Sequence, residues 1–289
     1  MRRMRSMDTV LNISDCEGEP AVHAALAVYA DMPDARLRDY PGYENGLFMA
    51  ESRAVIAAAL DAGARPHSLL VENRWLDEGV RALAARLGDA NPDASILVAT
   101  HEEFVQATGY EISRGPIAAF ERPALPSLEA VLSGARRVAV LEDVGNYANI
   151  AAAFRAAAVF GIDAVLVTPS CHDPLYRRAA RVSGGAVLRV PWARIGRERH
   201  WAAEGVPALH RAGFKVAALA LSDDSIPLGD PELAACERLA LVLGTEAHGL
   251  FPDTIAACDF TVRIPMSHGV DSLNVAVASA VAFWELRTR

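Results

Sequence analysis

Three short blocks in the second half of the chain hold the side chains best suited to chemistry. They are Asn149-Ile-Ala-Ala-Ala-Phe-Arg155, Leu241-Val-Leu-Gly-Thr-Glu-Ala-His-Gly249, and Ile264-Pro-Met266 leading to Asp271-Ser-Leu-Asn-Val275. Each sets small or polar residues directly after an apolar strand, which is where an open α/β sheet keeps its ligand site. Three such edges point to one pocket built from three loops. Arg155, flanked by Phe154 and alanines, needs a partner on so apolar a helix. An ion pair, for instance with Glu246, would serve, and so would a phosphate contact or an activated base beside one. Asn149 lies within two turns of Arg155 and suits a helix cap. Gly244 lets a ligand approach the backbone closely, and Glu246 can accept a proton or hold an arginine. Ser272 fits the N-cap of the last helix. Asn274 is a poor helix former, suited instead to holding a ribose hydroxyl or a substrate backbone. Ile264-Pro-Met266 ends its strand with apolar groups that suit an adenine edge.

Other chemistries lack their residues. The chain has no GxSxG elbow and no Walker lysine, and no GxGxxG follows Gly145. Its eight histidines show no HxxxH pair, so no metal site is expected. Cys16, Cys171, Cys236 and Cys258 are scattered, which fits buried thiols in a reducing compartment and not a disulfide frame. The formal net charge of −8 argues mildly against a nucleic-acid binder. Yet Arg177, Arg178, Arg181, Arg189, Arg194, Arg197 and Arg199 crowd one segment, and a local basic patch can bind phosphate within an acidic total. A solvated helix face is the other reading of the same residues. The basic start, Met1 to Met7, lacks the apolar core of a signal peptide, and no stretch is long and apolar enough to span a bilayer. A cytoplasmic protein is expected.

The elements that must position the blocks follow from apolar periodicity. With 52% hydrophobic residues among 289, a substantial core is expected. Strands at Gly46–Ala50, Ser68–Val71 and Ser95–Val98 alternate with helices at Ser52–Ala62 and Asp77–Leu87, implying a small α/β domain over residues 1–122. Two prolines between Glu121 and Ser127 mark a linker. A second domain, residues 135–289, opens with the strand Arg137–Leu141 and a helix from about Asn149 to Phe160, stopped by Gly161. Strands follow at Ala164–Val167, Val187–Val190, Lys215–Leu219, Leu239–Leu243 and Phe260–Ile264, with a basic helix at Leu175–Arg181. Ala164–Val167 and Leu239–Leu243 are apolar on both faces, as in a covered parallel sheet. The last helix, Ser272–Arg289, is apolar on nearly every side. It is expected to be buried all round, with part of it meeting another subunit.

In this order and spacing the three blocks resemble motifs one, two and three of the SpoU (TrmH-type) RNA ribose methyltransferases of the SPOUT superfamily. The resemblance runs from Val138 to about Leu286. The first domain resembles the family's small ribosomal-protein-like, RNA substrate-binding domain at Gly46-Leu-Phe-Met-Ala-Glu51 and between Thr108-Gly-Tyr and Arg114-Gly115. The resemblance implies a parallel α/β sheet with a deep trefoil knot at its C-terminal side, something periodicity does not show. It also implies S-adenosylmethionine as cofactor, a homodimer formed through the C-terminal helix, and methyl transfer to a ribose 2′-oxygen of structured RNA, ribosomal before transfer RNA. Carried over by position, Asn149, Arg155, Glu246, Ser272 and Asn274 face the ribose, Arg155 being the residue proposed in the family to help deprotonate the 2′-hydroxyl. Leu243, Gly244, Ile264, Met266 and Leu273 hold the methyl donor. Arg181 and Ser183 match a stretch associated with RNA or the active site, and with Arg177 and Arg178 they form the expected RNA contact. No metal is required. The chain departs from the family at Ala151, where glycine is usual, and the extra methyl group would crowd a close backbone approach. Two other activities fit the same fold: a non-catalytic RNA-binding or ribosome-assembly protein, and a methyltransferase acting on a base.

Overall fold

The computed structural model describes residues 10–16, 19–30, 34–109, 115–197, 200–245, 248–267 and 272–288. The basic start, Met1 to Met7, and Tyr110 and Arg114 of the Thr108–Gly115 stretch lie outside them. The contacts divide the chain into two units. One runs to Ala124 and includes Leu175–Gly185; the other comprises Leu125–Pro174 and Ala186–Arg289.

The first unit contains β1 (Val10–Asn12), α1 (Pro20–Ala27), α2 (Asp34–Arg38), β2 (Leu47–Glu51), α3 (Arg53–Asp61), β3 (Pro66–Glu72), α4 (Glu78–Ala90), β4 (Ser95–Ala99), α5 (His101–Thr108) and β5 (Ile117–Glu121). Its sheet runs β1-β4-β3-β5-β2, with β1, β4 and β3 parallel and β5 antiparallel to both neighbours. The alternation expected from Gly46 onward is present. Asp77 starts α4 by accepting a hydrogen bond from the Val80 N–H. A capping box between Thr100 and Glu103 starts α5.

The second unit follows with α6 (Leu128–Leu132), β6 (Arg137–Leu141), α7 (Tyr147–Phe160) and β7 (Ala164–Val167). Next comes α8 (Arg177–Val182), which groups with the first unit and not with the second, where the sequence pattern puts it. The chain continues through β8 (Trp192–Arg194), α9 (Ala202–Arg211), β9 (Lys215–Leu219), β10 (Ile226–Pro227), α10 (Pro231–Ala235), β11 (Leu239–Leu243), α11 (Pro252–Ala257), β12 (Phe260–Arg263) and α12 (Val275–Leu286). Seven strands form one parallel sheet, ordered β10-β12-β9-β11-β6-β7-β8. Every residue of β6, β7 and β11 is buried, as a parallel sheet covered on both faces requires. From β6 the chain steps outward through β7 to β8, crosses to β9 and β10, then returns to place β11 between β6 and β9. The direction of winding reverses beside β6. The crevice outside the carboxyl ends of the strands there is the usual ligand site of such a sheet.

Three expected boundaries move. Helix α7 starts at Tyr147, because Asn146 and not Asn149 caps it; the Asn146 Oδ1 accepts the Ala148 N–H at 2.8 Å. The strand expected at Val187–Val190 is a 3-10 turn, Ala186–Leu188, and β8 begins only at Trp192. Short apolar runs fit either state, and Pro191 has no N–H for a ladder, so pairing with β7 starts after it. Helix α12 is capped by Asn274, whose Oδ1 accepts the Ala276 N–H at 3.0 Å, and Ser272 lies before the helix. Gly161 does close α7, at φ +71°.

Helix α12 packs along α7. At its far end the buried Arg137 donates from Nε to the Leu286 carbonyl at 2.7 Å and from Nη1 to Glu237 O at 3.0 Å. Contrary to the expectation of burial all round, Val277, Val281 and Trp284 are 50%, 40% and 53% exposed. Their spacing of four and three residues makes one apolar stripe along the helix. Among the described residues, no helix is long and apolar enough to cross a membrane. Replacing Arg137 with leucine should lower unfolding free energy by about 2 kcal/mol, since two buried carbonyls lose a charged donor; chemical denaturation measures this, and an unchanged midpoint would refute the anchoring role.

Candidate active site

The carboxyl ends of β9, β11 and β12 surround a cavity of about 310 Å³. Leu243, Gly244, Ile264, Met266, Ser272 and Leu273 all line it, so parts of the second and third sequence blocks meet there. Thr245, His248, Gly249, Leu250 and the stretch Leu219–Leu221 complete much of the wall. The contribution of β9 was not visible in sequence, since it depends on β9 lying between β11 and β12. Glu246 lies outside the described residues.

Local backbone geometry explains the glycine at the mouth of β11. The loop after Leu243 doubles back, with Thr245 and Gly249 bridging antiparallel and the Gly249 N–H donating to Thr245 O at 2.9 Å. A Cβ on Gly244 would stand 2.5 Å from the Gly249 carbonyl carbon and 2.8 Å from Leu250 N. Any side chain at this position therefore meets backbone too closely, and the loop would have to shift to admit it.

The first block approaches through α7. Asn149 lies in its first turn, and the Asn274 Nδ2 donates to the Asn149 Oδ1 at 3.2 Å. Asn274 stands between Leu273 and Val275, both lining residues, so this amide pair sits at the cavity's edge. Arg155 is six residues further along α7. Six residues advance about 9 Å and turn about 240°, so Arg155 leaves from a different face than Asn149. Its side chain is exposed and, among the described residues, makes no ion pair. It lies one turn from Val159, which is 68% exposed. Ala151 is fully buried and is not a cavity residue, so its methyl group crowds no approach to this pocket.

The loop joining β6 to α7 is pinned from below. The Cys171 thiol donates to Leu141 O at 3.0 Å and accepts the Val144 N–H at 3.3 Å. Burial pushes the Cys171 thiol up, and burial with the nearby Glu142 charge pushes Cys258 up to about 12, so both stay protonated at neutral pH. Of the four thiols expected to be buried, Cys171 is, Cys236 and Cys258 are half-buried, and the side chain of Cys16 lies outside the described ones.

The residues expected to contact RNA lie on and after α8 in the first unit. Arg181 Nη1 is 2.7 Å from Oε1 of the buried Glu51, and Arg177 Nε is 4.0 Å from its Oε2. Arg178 is exposed. Ser183 does not face outward: it is 3% exposed and donates its hydroxyl to Ala180 O at 2.9 Å. Replacing Gly244 with alanine should destabilise the fold by about 1–3 kcal/mol through forced backbone movement. Denaturation against the wild type checks this, and an unaltered stability would mean the close approach is absent.

Residues 136–284 match the model of the SpoU rRNA Methylase family. A protein of Mycobacterium bovis, described as an uncharacterized tRNA/rRNA methyltransferase, is 38% identical over 273 residues, 90% of each chain. The 23S rRNA (guanosine-2'-O-)-methyltransferase RlmB of a Burkholderia species is 30% identical over 234 residues, 78% of this chain and 92% of that one. Among solved structures, an rRNA methyltransferase from Sinorhizobium meliloti superposes with a TM-score of 0.72 at 21% identity, covering 96% of this chain and 97% of that one. The SpoU methyltransferase AviRb from Streptomyces viridochromogenes gives 0.73 at 20% identity, over 92% and 97%. These two structures share the fold.

Proposed function

The chain belongs to the SpoU rRNA methylase family, and from that premise we propose that it transfers a methyl group from S-adenosylmethionine to a ribose 2′-hydroxyl of structured RNA, ribosomal before transfer RNA. One observation carries the reading: the residues matched to the donor, Leu243, Gly244, Ile264, Met266 and Leu273, line a single cavity, with the Asn149–Asn274 amide pair at its edge. The 30% identical relative named for the 2'-O position of a 23S rRNA guanosine favours ribosomal RNA.

The cavity fits the donor in size and chemistry. At about 310 Å³ it lies within the range of small-molecule sites, and its apolar walls with a few polar groups have the usual composition. Leu243, Ile264, Met266 and Leu273 supply apolar edges for an adenine, and Gly244 leaves the backbone open to close contact. When bound, the cofactor supplies a methyl group activated by a positively charged sulfur.

The chain's own residues must make the hydroxyl a nucleophile. A ribose hydroxyl is weak at neutral pH and needs a base or a field that favours the alkoxide. The guanidinium of Arg155 supplies positive charge for that oxygen. Asn149 and Asn274 orient the ribose with their amides, and Glu246 and Ser272 complete the set that faces it. Alignment of the two reactants accounts for much of the remaining rate.

Assembly and placement belong to the same proposal. The sheet carries the family's trefoil knot at its C-terminal side. A homodimer forms through the stripe of Val277, Val281 and Trp284 together with Val159, an exposed apolar surface of the kind that marks interfaces. Such a dimer brings Arg155 to the interface, one turn from Val159. Residues 1–122 act as the RNA-binding domain, with Arg177, Arg178 and Arg181 contributing charge, and residues 135–289 as the catalytic domain. The protein works in the cytoplasm.

Arg155→Ala should lower transfer of labelled methyl groups to RNA by about a hundredfold or more, while calorimetric affinity for S-adenosylmethionine stays within about twofold. Equal loss of both would make Arg155 structural. A wild-type chain that binds no S-adenosylmethionine, with or without RNA, would end the methyltransferase reading. Trp284→Glu should convert a dimer to a monomer by light scattering, and an unchanged mass would remove this face as the interface.

A further inference from the structure

Glu142 follows β6 directly, is 1% exposed, and belongs to none of the three sequence blocks. Its backbone N–H donates to Leu243 O at 2.8 Å, the carbonyl immediately before Gly244. Its Oε1 accepts the Phe251 N–H at 2.7 Å, immediately after Leu250. One residue thus grips both the entry and the exit of the loop from Gly244 to Leu250, which contributes five residues to the cavity wall: Gly244, Thr245, His248, Gly249 and Leu250. The other carboxyl oxygen accepts from Trp201 Nε1, at the start of α9, and from Thr254 Oγ1, on α11. Both partners are themselves 1% exposed. Among the described residues no cation is paired with Glu142, so hydrogen-bond donors offset its burial: one on Oε1, from Phe251, and two on Oε2, from Trp201 and Thr254.

We propose that Glu142 is a positioning residue that fixes where the chain enters the cavity wall at Gly244 and leaves it at Leu250, and thereby sets the affinity of the cavity for S-adenosylmethionine. The proposal rests on the function above, since it concerns the same cavity. The carboxyl ties Phe251, just past the loop's exit, to the start of α9 and to α11, while the Glu142 N–H ties the loop's entry to the end of β6. Its geometry acts on the wall that takes the donor and has no hold on Asn149, Asn274 or Arg155.

Steady-state kinetics and calorimetry on the full chain test this. In Glu142→Gln an amide NH2 replaces one acceptor and opposes the Phe251 N–H or the Trp201 N–H, according to the amide's orientation. It should raise KM and Kd for S-adenosylmethionine about tenfold, with kcat at saturating donor within about threefold and RNA affinity unchanged. Thr254→Val keeps the volume and removes one donor, and should weaken donor binding about threefold; it decides the matter if Glu142→Gln fails to fold. A role in stability alone would lower the melting temperature and leave KM for the donor unmoved, which would overturn the proposal. Equal loss of donor and RNA binding would overturn it too. If the wild type binds the donor and a folded variant binds it equally well, this proposal alone falls. If the wild type binds no donor, the functional reading falls and this proposal with it.

Discussion

The carboxyl of Glu142 takes over where the central strand pair stops. Strands β6 and β11 run in parallel register from Arg137 beside Leu239 to Leu141 beside Leu243, so both end at one level. The next backbone hydrogen bond, from the Glu142 N–H to Leu243 O, extends that ladder by one rung. From there the side chain reaches Phe251, Thr254 and Trp201. Strand pairing thus brings the end of β11, which lines the cavity, level with β6, and one buried carboxyl meets the chain again at Phe251, where it leaves the cavity wall. A carboxyl in such a place is costly unless every donor is in position, which makes the arrangement nearly all-or-none.

The opposite wall depends on a helix held at both ends. Arg137, at the beginning of β6, bonds the last carbonyl of α12, while Asn274 at the beginning of α12 bonds Asn149 on α7. Asn274 also caps its own helix through the same side chain's oxygen. One amide thus fixes the helix start and presents its nitrogen to Asn149, which brings the first and third sequence blocks together. In the family reading this is the pair that meets the ribose. The outer face of α12 carries the exposed apolar stripe of Val277, Val281 and Trp284, the surface that the proposed dimer would use.

The parts of this arrangement set by local rules were legible in the chain. Strands β6, β7, β9 and β11 fall where apolar runs place them, and Gly161 ends α7 because a left-handed residue is needed there. The lining residues could be named because their blocks end strands. Other features required the third dimension. Four asparagine or serine positions, two at each helix start, can act as caps, and only the folded chain selects Asn146 over Asn149 and Asn274 over Ser272. The run at Val187–Val190 has strand composition but turns, with Pro191 delaying the ladder. The basic helix α8 reads as part of the second domain and packs with the first, where Glu51 pairs with Arg181. Glu142 carried no sequence signal at all, because its partners are 59 to 112 residues away.

The central claim is that this chain methylates a ribose 2′-oxygen in RNA. Mapping 2′-O-methyl groups in RNA from cells with and without its gene tests it most directly. The account predicts that one ribose position, in ribosomal RNA, is methylated only when the gene is present, and that a gene carrying Arg155→Ala does not restore it. Identical maps with and without the gene, or a dependent methyl group found on a base, would contradict it.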